Sequence, residues 1–195
     1  MTVICKTCSP PKPKRQEILR YALCPKADEE TEALLSSCLK EAEEKTAYRA
    51  CYIISPVEVH GNVCDFGSFS VCSQHLARSL TGCRTALLFA ATVGVEFDRL
   101  IARYGKLSPS RALMLQAIGA ERAEALCDTL CADIAAEYGF SLRPRFSPGY
   151  GDLPLSVQKE LFALLDCERR IGLTLTDSLL MSPSKSVTAI AGIVE

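Results

Sequence analysis

The stretch RPRFSPGYGD, at residues 143–152, interrupts the regular secondary structure in the C-terminal third of the chain. Its two prolines and two glycines fix an irregular backbone, because proline lacks an N–H and glycine tolerates positive φ angles. Backbone N–H and C=O groups are therefore expected to be free of any ladder. Beside them stand Arg145, which can grip a carboxylate through two hydrogen bonds, and Tyr150, which has a flat apolar face. These parts suit a ligand with a carboxylate and an aromatic base, although a plain structural turn is the commoner use of such a loop.

A long helix is predicted before this stretch, from about residue 108 to residue 138. Leu126, Leu130 and Ile134 recur at intervals of four and predict its core stripe. Glu124 lies on the opposite side, at about 160° from Leu126 if each residue turns the helix by ~100°. The small residues Ala117, Ala120 and Cys131 surround Glu124 on that side of the helix. Glu124 is thus either part of a solvated face or the floor of a ligand site.

The remaining chain interleaves helices and strands without regular βαβ spacing. Helices are predicted over 16–23, 28–46, 69–80, 96–104 and 154–165. Strands are predicted over 50–59, 85–93 and 140–145, with a turn over 61–67 and a final hairpin of 173–181 with 186–194. The apolar run at 85–93 indicates a strand that is buried on both faces. This irregular order favours the α+β fold class.

The domain organisation is predicted from length and composition. The chain has 195 residues, which is enough for one sizeable core. Residues 1–13 are rich in Cys, Pro and Lys and are predicted to form a flexible leader, since three prolines disfavour regular structure. Residues 14–195 are predicted to form a single domain.

Composition excludes several classes of protein. The formal net charge of −1 gives no basic field that would attract nucleic acid, and no apolar run reaches the roughly 18 residues of a membrane helix. The N-terminus lacks the pattern of a secretory signal. Eleven cysteines is a high and odd number, which favours free thiols in a reducing compartment over a disulfide scaffold. We therefore expect a cytoplasmic protein.

Two sets of residues could carry metal, redox or acid–base chemistry. Cys5-x-x-Cys8 has the spacing of half a zinc site or of a redox pair. His60 and Cys64 are weak complements for a metal, so a metal site is not expected, but the redox alternative stays open. His60 and His75 stand beside no evident nucleophile and are interpreted as structural or surface residues. No catalytic constellation is expected on this chain.

Residues 143–187 resemble the activation domain of cobalamin-dependent methionine synthase. The shared pattern is Arg-x-x-Pro-Gly-Tyr at 145–150, a helix, Leu-Thr-Asp-Ser at 175–178, and Met-x-Pro-x-x-Ser-Val at 181–187. Weaker similarity extends back through the long helix, where Glu124 falls at an acidic position of the family. The resemblance implies a curved, largely antiparallel sheet with flanking helices, in agreement with the α+β class.

The resemblance also implies a ligand and a set of residues that bind it. The family binds S-adenosylmethionine in a shallow groove and presents the methyl group to a cobalamin held by another domain. By position, Arg145 would meet the ligand carboxylate, and Ser147, Gly149 and Tyr150 would form the backbone and aromatic wall. Glu124 would bind hydroxyl or amino groups of the ligand. Methyl transfer from a sulfonium to reduced cobalt needs no general base, so catalytic residues are not implied.

The implied function is that of a reactivation subunit in methionine biosynthesis. It would support reductive methylation of a cobalamin-binding methyltransferase, in a split methionine synthase, with an electron from a flavodoxin-type donor. The sequence contains no recognisable cobalamin-binding motif, so the partner would supply the cobalamin and the chain would not be an enzyme alone. The alternative is a non-catalytic interaction module that docks on a corrinoid or methyl-transfer protein. It is motivated by Ala191, which stands where the family has a tyrosine, and by an N-terminal ligand-binding aspartate of the family that has no placed counterpart.

Overall fold

The computed structural model describes residues 2–9 and 11–194. The strands are β1 (Ile4–Thr7), β2 (Arg49–Pro56), β3 (Glu58–His60), β4 (Val63–Asp65), β5 (Ser70–Cys72), β6 (Thr85–Thr92), β7 (Ser141–Leu142), β8 (Thr174–Leu175), β9 (Met181–Ser182) and β10 (Ser186–Val194). The helices are α1 (Arg15–Tyr21), α2 (Glu29–Glu43), α3 (Gln74–Ser79), α4 (Val95–Leu107), α5 (Pro109–Tyr138), α6 (Val157–Leu165) and α7 (Cys167–Ile171).

A curved five-stranded antiparallel sheet, ordered β1-β2-β6-β10-β7, forms the centre of the fold. One face packs against α1, α2, α4 and α5, and the other packs against α3, α6, α7 and the small β3-β4-β5 sheet. β6 lies in the middle, with Leu87 and Phe89 in the first core and Ala86 and Leu88 in the second. The predicted α+β class and the strand buried on both faces are thus confirmed.

The predicted core stripe of α5 is observed, and α2 and α5 have defined caps at one end. Asp28 Oδ1 accepts a hydrogen bond from the Thr31 N–H at 2.8 Å, which satisfies a donor in the first turn of α2. Gly139 ends α5 in the left-handed conformation, with φ at +73°. Leu126 is fully buried, while Glu124 is exposed on the other side of α5.

The N-terminal segment differs from the expected flexible leader. Residues 4–7 form β1, the edge strand of the central sheet, in register with residues 49–52 of β2. The Cys8 N–H continues the pairing and donates to the Tyr48 carbonyl at 3.0 Å. The prolines follow this strand and do not interrupt it. Backbone pairing with β2 therefore outweighs the local composition.

Two further predictions about strands are wrong. Residues 61–67 are predicted to form a turn, but β4 lies within this range. The next helix is predicted to begin at residue 69, but β5 occupies its first residues and α3 begins only after its N-cap, Ser73. The C-terminal hairpin is also absent from the described structure: β10 pairs with β6 and β7, and β8 pairs with β9. In the described ranges, no helix is both long enough and apolar enough to cross a membrane.

Candidate functional site

The 145–152 loop starts at the sheet and closes on itself. Phe146 and Ile190 exchange backbone hydrogen bonds of 2.8 and 2.9 Å, which attaches the start of the loop to β10. The Gly149 N–H then donates to the Leu153 carbonyl at 2.9 Å, and the Tyr150 N–H donates to the Ser147 carbonyl at 3.1 Å. These two N–H groups take no part in a sheet, as predicted, but they are satisfied by hydrogen bonds inside the turn.

Asp152 attaches the end of the loop to the start of α3. Its carboxylate accepts hydrogen bonds from Ser73 Oγ at 2.5 Å and from the N–H groups of Gln74 and His75 at 2.7 and 3.2 Å. The Ser73 hydrogen bond and these backbone donors hold the pKa of Asp152 below its usual value. At Gly151, with φ at +57°, a Cβ would lie 2.5 Å from His75 Nδ1. The loop is thus fixed against the second face of the sheet.

Arg145 lies against α5, where two carboxylates hold its guanidinium. Nη1 donates to Asp128 Oδ1 at 2.5 Å, and Nη2 donates to Glu124 Oε2. Burial alone would lower the pKa of Arg145, but the hydrogen bonds with Asp128 and Glu124 outweigh it and the pKa is raised. The side chain of Arg145 is 25% exposed, and both carboxylates are about half exposed. The guanidinium is therefore permanently charged, partly desolvated and reachable from solvent.

These side chains lie in a cleft of about 230 Å³ between α1 and α5. The cleft is lined by Lys14, Glu17, Tyr21, Glu121, Glu124, Ala125, Asp128 and Arg145. Lys14 Nζ lies 3.5 Å from Asp128 Oδ2, so a second cation reaches the same carboxylate. A zwitterionic ligand fits this arrangement chemically, because Arg145 can bind a carboxylate while the acids accept from ammonium or hydroxyl groups.

The five residues singled out in the sequence fall into two groups. Arg145 and Glu124 are in direct contact in the cleft. Tyr150 is 72% exposed, and its ring meets Phe146 edge to face at 5.8 Å between centroids. Gly149, with φ at +85°, packs against Leu155, and Ser147 is half-buried. The structure therefore brings Arg145 and Glu124 together, whereas Ser147, Gly149 and Tyr150 lie in the adjoining turn and are not among the residues that line the cleft.

A buried ion pair next to the cleft was missed from the sequence. Arg122 Nε and Nη2 donate to the Glu121 carboxylate at 2.6 and 2.7 Å, and both side chains are less than 5% exposed. Arg122 also donates to the carbonyls of Pro11 and Lys12. The Lys14 N–H in turn donates to Glu121 Oε1 at 3.0 Å. This pair fastens residues 11–14 and so positions α1 over the cleft.

Signals for the missed residues were present in the spacing of α5. Arg122 lies four residues before Leu126, so the core stripe extended back by one turn falls on it. Asp128 lies four residues after Glu124 on the same exposed face. Lys14 gives no local signal, because it reaches the cleft only through long-range contacts.

Cys5 and Cys8 do not form a paired motif. Cys5 is exposed on β1, whereas Cys8 is buried in the first core. Over the part of the chain that the structure describes, no group of three His, Cys, Asp or Glu side chains is placed to hold a metal ion. Ala191 is also buried in the first core and lies opposite Leu87 of β6.

Comparison with known proteins gives a family and a fold. The family model described as "Vitamin B12 dependent methionine synthase, activation domain" matches residues 71–193. A solved structure, described as "Crystal Structure of the MetH Reactivation Domain bound to AdoHcy", is similar with a TM-score of 0.76 at 15% sequence identity. The match covers 98% of this chain and 78% of that chain, and it shows the same α+β architecture. The chain therefore belongs to the family of vitamin B12-dependent methionine synthase activation domains.

Proposed function

We propose that this chain binds S-adenosylmethionine in the cleft at Arg145 and acts as the reactivation subunit of a split methionine synthase. Its partner would be a cobalamin-binding methyltransferase in the cytoplasm, with a flavodoxin-type protein as electron donor. The observation that carries the proposal is the family match over 71–193, which contains α5 and the whole 143–187 motif segment. A similar fold has been solved with AdoHcy, the demethylated form of the same compound.

Arg145 is the residue proposed to bind the ligand carboxylate. To do so it exchanges its hydrogen bonds with Glu124 and Asp128 for two hydrogen bonds to the ligand. Because both carboxylates are about half exposed, each of these ion pairs should contribute only about 0–1 kcal/mol, so the exchange costs little. The cleft of about 230 Å³ is smaller than most small-molecule sites, which occupy roughly 300–1,000 Å³. We therefore expect the two carboxylates to move apart when the ligand binds.

Glu124 then accepts hydrogen bonds from the ammonium or ribose hydroxyls, and the turn supplies the remaining wall. The exposed ring of Tyr150 would stack on the aromatic base, and its edge-to-face contact with Phe146 helps to hold the ring in place. Ser147 and Gly149 form the backbone of the wall. Because Asp152 fastens the turn to α3, this wall is formed before the ligand arrives, which reduces the entropy lost on binding.

The role of the chain in the reaction is positioning. When bound, S-adenosylmethionine supplies an activated methyl group, and the partner's cobalamin supplies the nucleophile. Arg145 and Glu124 hold the two ends of the amino acid portion, and the Tyr150 turn holds the base, which fixes the orientation of the sulfonium. No proton has to be moved by a side chain of this protein. We propose residues 14–195 as the ligand-binding unit, with β1 extending its sheet.

Calorimetric titration of the purified chain with S-adenosylmethionine tests the proposal. We expect saturable heat, which Arg145→Ala abolishes or shifts to much weaker binding. Arg143→Ala is the matched control, because Arg143 is exposed, stands two residues away and makes no ion pair among the described residues. Absence of heat at high micromolar ligand would contradict the proposal.

The alternative of a non-catalytic docking module is favoured by Ala191. At the position where the family has a tyrosine, this methyl side chain is buried in the sheet and offers no group to a ligand. A pull-down from native lysate, with and without S-adenosylmethionine, separates the two functions. Retention of a corrinoid protein that does not depend on the ligand, together with silent calorimetry, would favour docking.

A further inference from the structure

A group of cysteines lies on the face of the sheet away from α5, where β1, β2 and α7 meet. Cys5 is exposed on the edge strand, while Cys51 of β2 and Cys167 of α7 are buried in the second core. Arg170 of α7 donates from Nη1 to Cys5 Sγ at 3.8 Å and to the Val3 carbonyl at 3.5 Å. This arrangement combines an accessible sulfur, buried sulfurs and a cation.

Cys5 and Cys51 are directly opposite each other in the β1–β2 register. Opposed residues of antiparallel strands project from the same face, with Cα atoms about 4.5–5.5 Å apart. A disulfide requires a Cα–Cα distance of roughly 4.4–6.8 Å, so these two residues can be bridged without a large movement of the backbone. Cys8 lies in the opposite core, so the pair suggested by Cys5-x-x-Cys8 is replaced by a cross-strand pair.

The surroundings of Cys51 favour its ionised form. A hydrogen bond with the Cys167 thiol lowers the pKa of Cys51, and the charge of Arg170 lowers it further against the effect of burial. The pKa of Cys167 is raised by the same hydrogen bond and by burial. Since the thiolate is the nucleophile in disulfide formation, the charge of Arg170 favours attack by the Cys51 sulfur. Cys5, in contrast, is the sulfur that a solute can reach.

We propose that Cys5 and Cys51 form a reversible thiol oxidation site whose oxidant is a peroxide. The Cys5 sulfur attacks one peroxide oxygen, the O–O bond breaks, and the second oxygen leaves as water after protonation, which gives Cys5 sulfenic acid. The Cys51 sulfur then attacks the Cys5 sulfur, an S–S bond forms, and the hydroxyl leaves as a second water. The two thiols lose two electrons and two protons to the peroxide. A dithiol reverses the change by exchange.

Mass-spectrometric mapping of the full chain tests this proposal. Reduced protein is treated with one equivalent of hydrogen peroxide, alkylated and digested without reductant. We expect a peptide cross-linked between Cys5 and Cys51 that is lost on treatment with dithiothreitol, and alkylation at the remaining cysteines. A cross-link of Cys5 to Cys8, a Cys51–Cys167 bridge as the main product, or Cys5 oxidised without any cross-link would overturn it.

Variants separate this site from general thiol reactivity. Cys5→Ser should abolish intramolecular cross-linking, and its exposed position does not threaten folding. Cys72→Ser is the matched control, since Cys72 is also exposed but lies on β5, and it should cross-link as the parent does. Arg170→Gln should slow cross-linking several-fold. Unchanged rates in Arg170→Gln, or a new Cys51–Cys167 bridge in Cys5→Ser at the parent rate, would contradict the proposed site.

Discussion

Two arginines form ion pairs with carboxylates from the same two turns of α5, and the two clusters differ in their exposure to solvent. Arg122 and Glu121 are almost fully buried, and their remaining hydrogen-bonding groups meet the backbone of residues 11–14. Arg145 is 25% exposed, and its partners Glu124 and Asp128 are about half exposed. Glu121 and Glu124 are only three residues apart and line the same cleft.

Solvent exposure distinguishes an ion pair that stabilises the fold from one that a ligand can replace. A buried charge loses its hydration on folding, so every partner it has must stay in place. A half-exposed charge retains part of its hydration and can replace a carboxylate of the protein by that of a ligand at little cost. We therefore expect the Arg122 cluster to contribute to stability, and the Arg145 cluster is the one that we propose binds the ligand.

The largest expected effect comes from Arg122→Ala. Removing this side chain leaves Glu121 as a buried, unpaired carboxylate and frees the carbonyls of residues 11 and 12. The free energy of unfolding should fall by about 3–5 kcal/mol. Urea denaturation measures it, and the double variant Glu121→Leu/Arg122→Met should recover most of the loss. If the free energy of unfolding fell by less than about 1 kcal/mol in Arg122→Ala, the buried ion pair would not be an important source of stability.

Arg145→Ala should weaken ligand binding more than it lowers the stability of the fold. Binding of S-adenosylmethionine should weaken by about 1.5–3 kcal/mol, the range for a hydrogen bond to a charged group. The free energy of unfolding should change by at most about 1 kcal/mol, because the ion pairs that are lost are half exposed. Calorimetry and urea denaturation on the same preparation give both numbers. If Arg145→Ala caused a large loss of stability and left the affinity unchanged, Arg145 would be a structural residue and not a ligand-binding one.

Tyr150→Ala should have a smaller effect that is confined to binding. Loss of the stacked ring should weaken binding by about 0.5–1.5 kcal/mol, whereas stability should hardly change since the ring is 72% exposed. Tyr150→Phe keeps the ring and serves as the control in the same titration. Equal affinity of the alanine variant and the parent would exclude the turn from the site.

Asp128→Asn is expected to have the smallest effect, with the opposite sign. In the proposed complex Asp128 would compete with the ligand carboxylate for Arg145, so its neutralisation should tighten binding by about 0.2–1 kcal/mol. Glu124→Gln should weaken binding, because Glu124 is proposed to contact the ligand directly. Weaker binding in both variants would mean that Asp128 is also a direct ligand contact.

Much of the fold could be predicted from local signals. The cap at Asp28, the stop at Gly139 and the apolar run at 85–93 each describe an interaction that is complete within a few residues. β10 was misplaced as half of a hairpin because its partner, β6, lies 94 residues away in the pair Ser186 with Thr92. Sequence periodicity predicts that a strand exists, but gives no information about a partner so distant.

Two residues of the candidate cleft were named from the sequence, Arg145 from the motif and Glu124 from its position on the long helix. The structure shows that they are in contact, and their roles in ligand binding stay predictions. Asp128 and the Arg122 pair lie on helix positions that the spacing could have indicated. The anchoring of Asp152 to α3 could not be foreseen, because it joins residues 73 and 152 across the fold.

Ligand binding at Arg145 can be tested with a crystal of the chain soaked in S-adenosylhomocysteine. We expect the carboxylate of the bound compound to replace Glu124 and Asp128 at Arg145, with the base against the ring of Tyr150. A structure at saturating ligand in which Arg145 keeps both acidic partners and the compound is absent, or lies elsewhere, would contradict it.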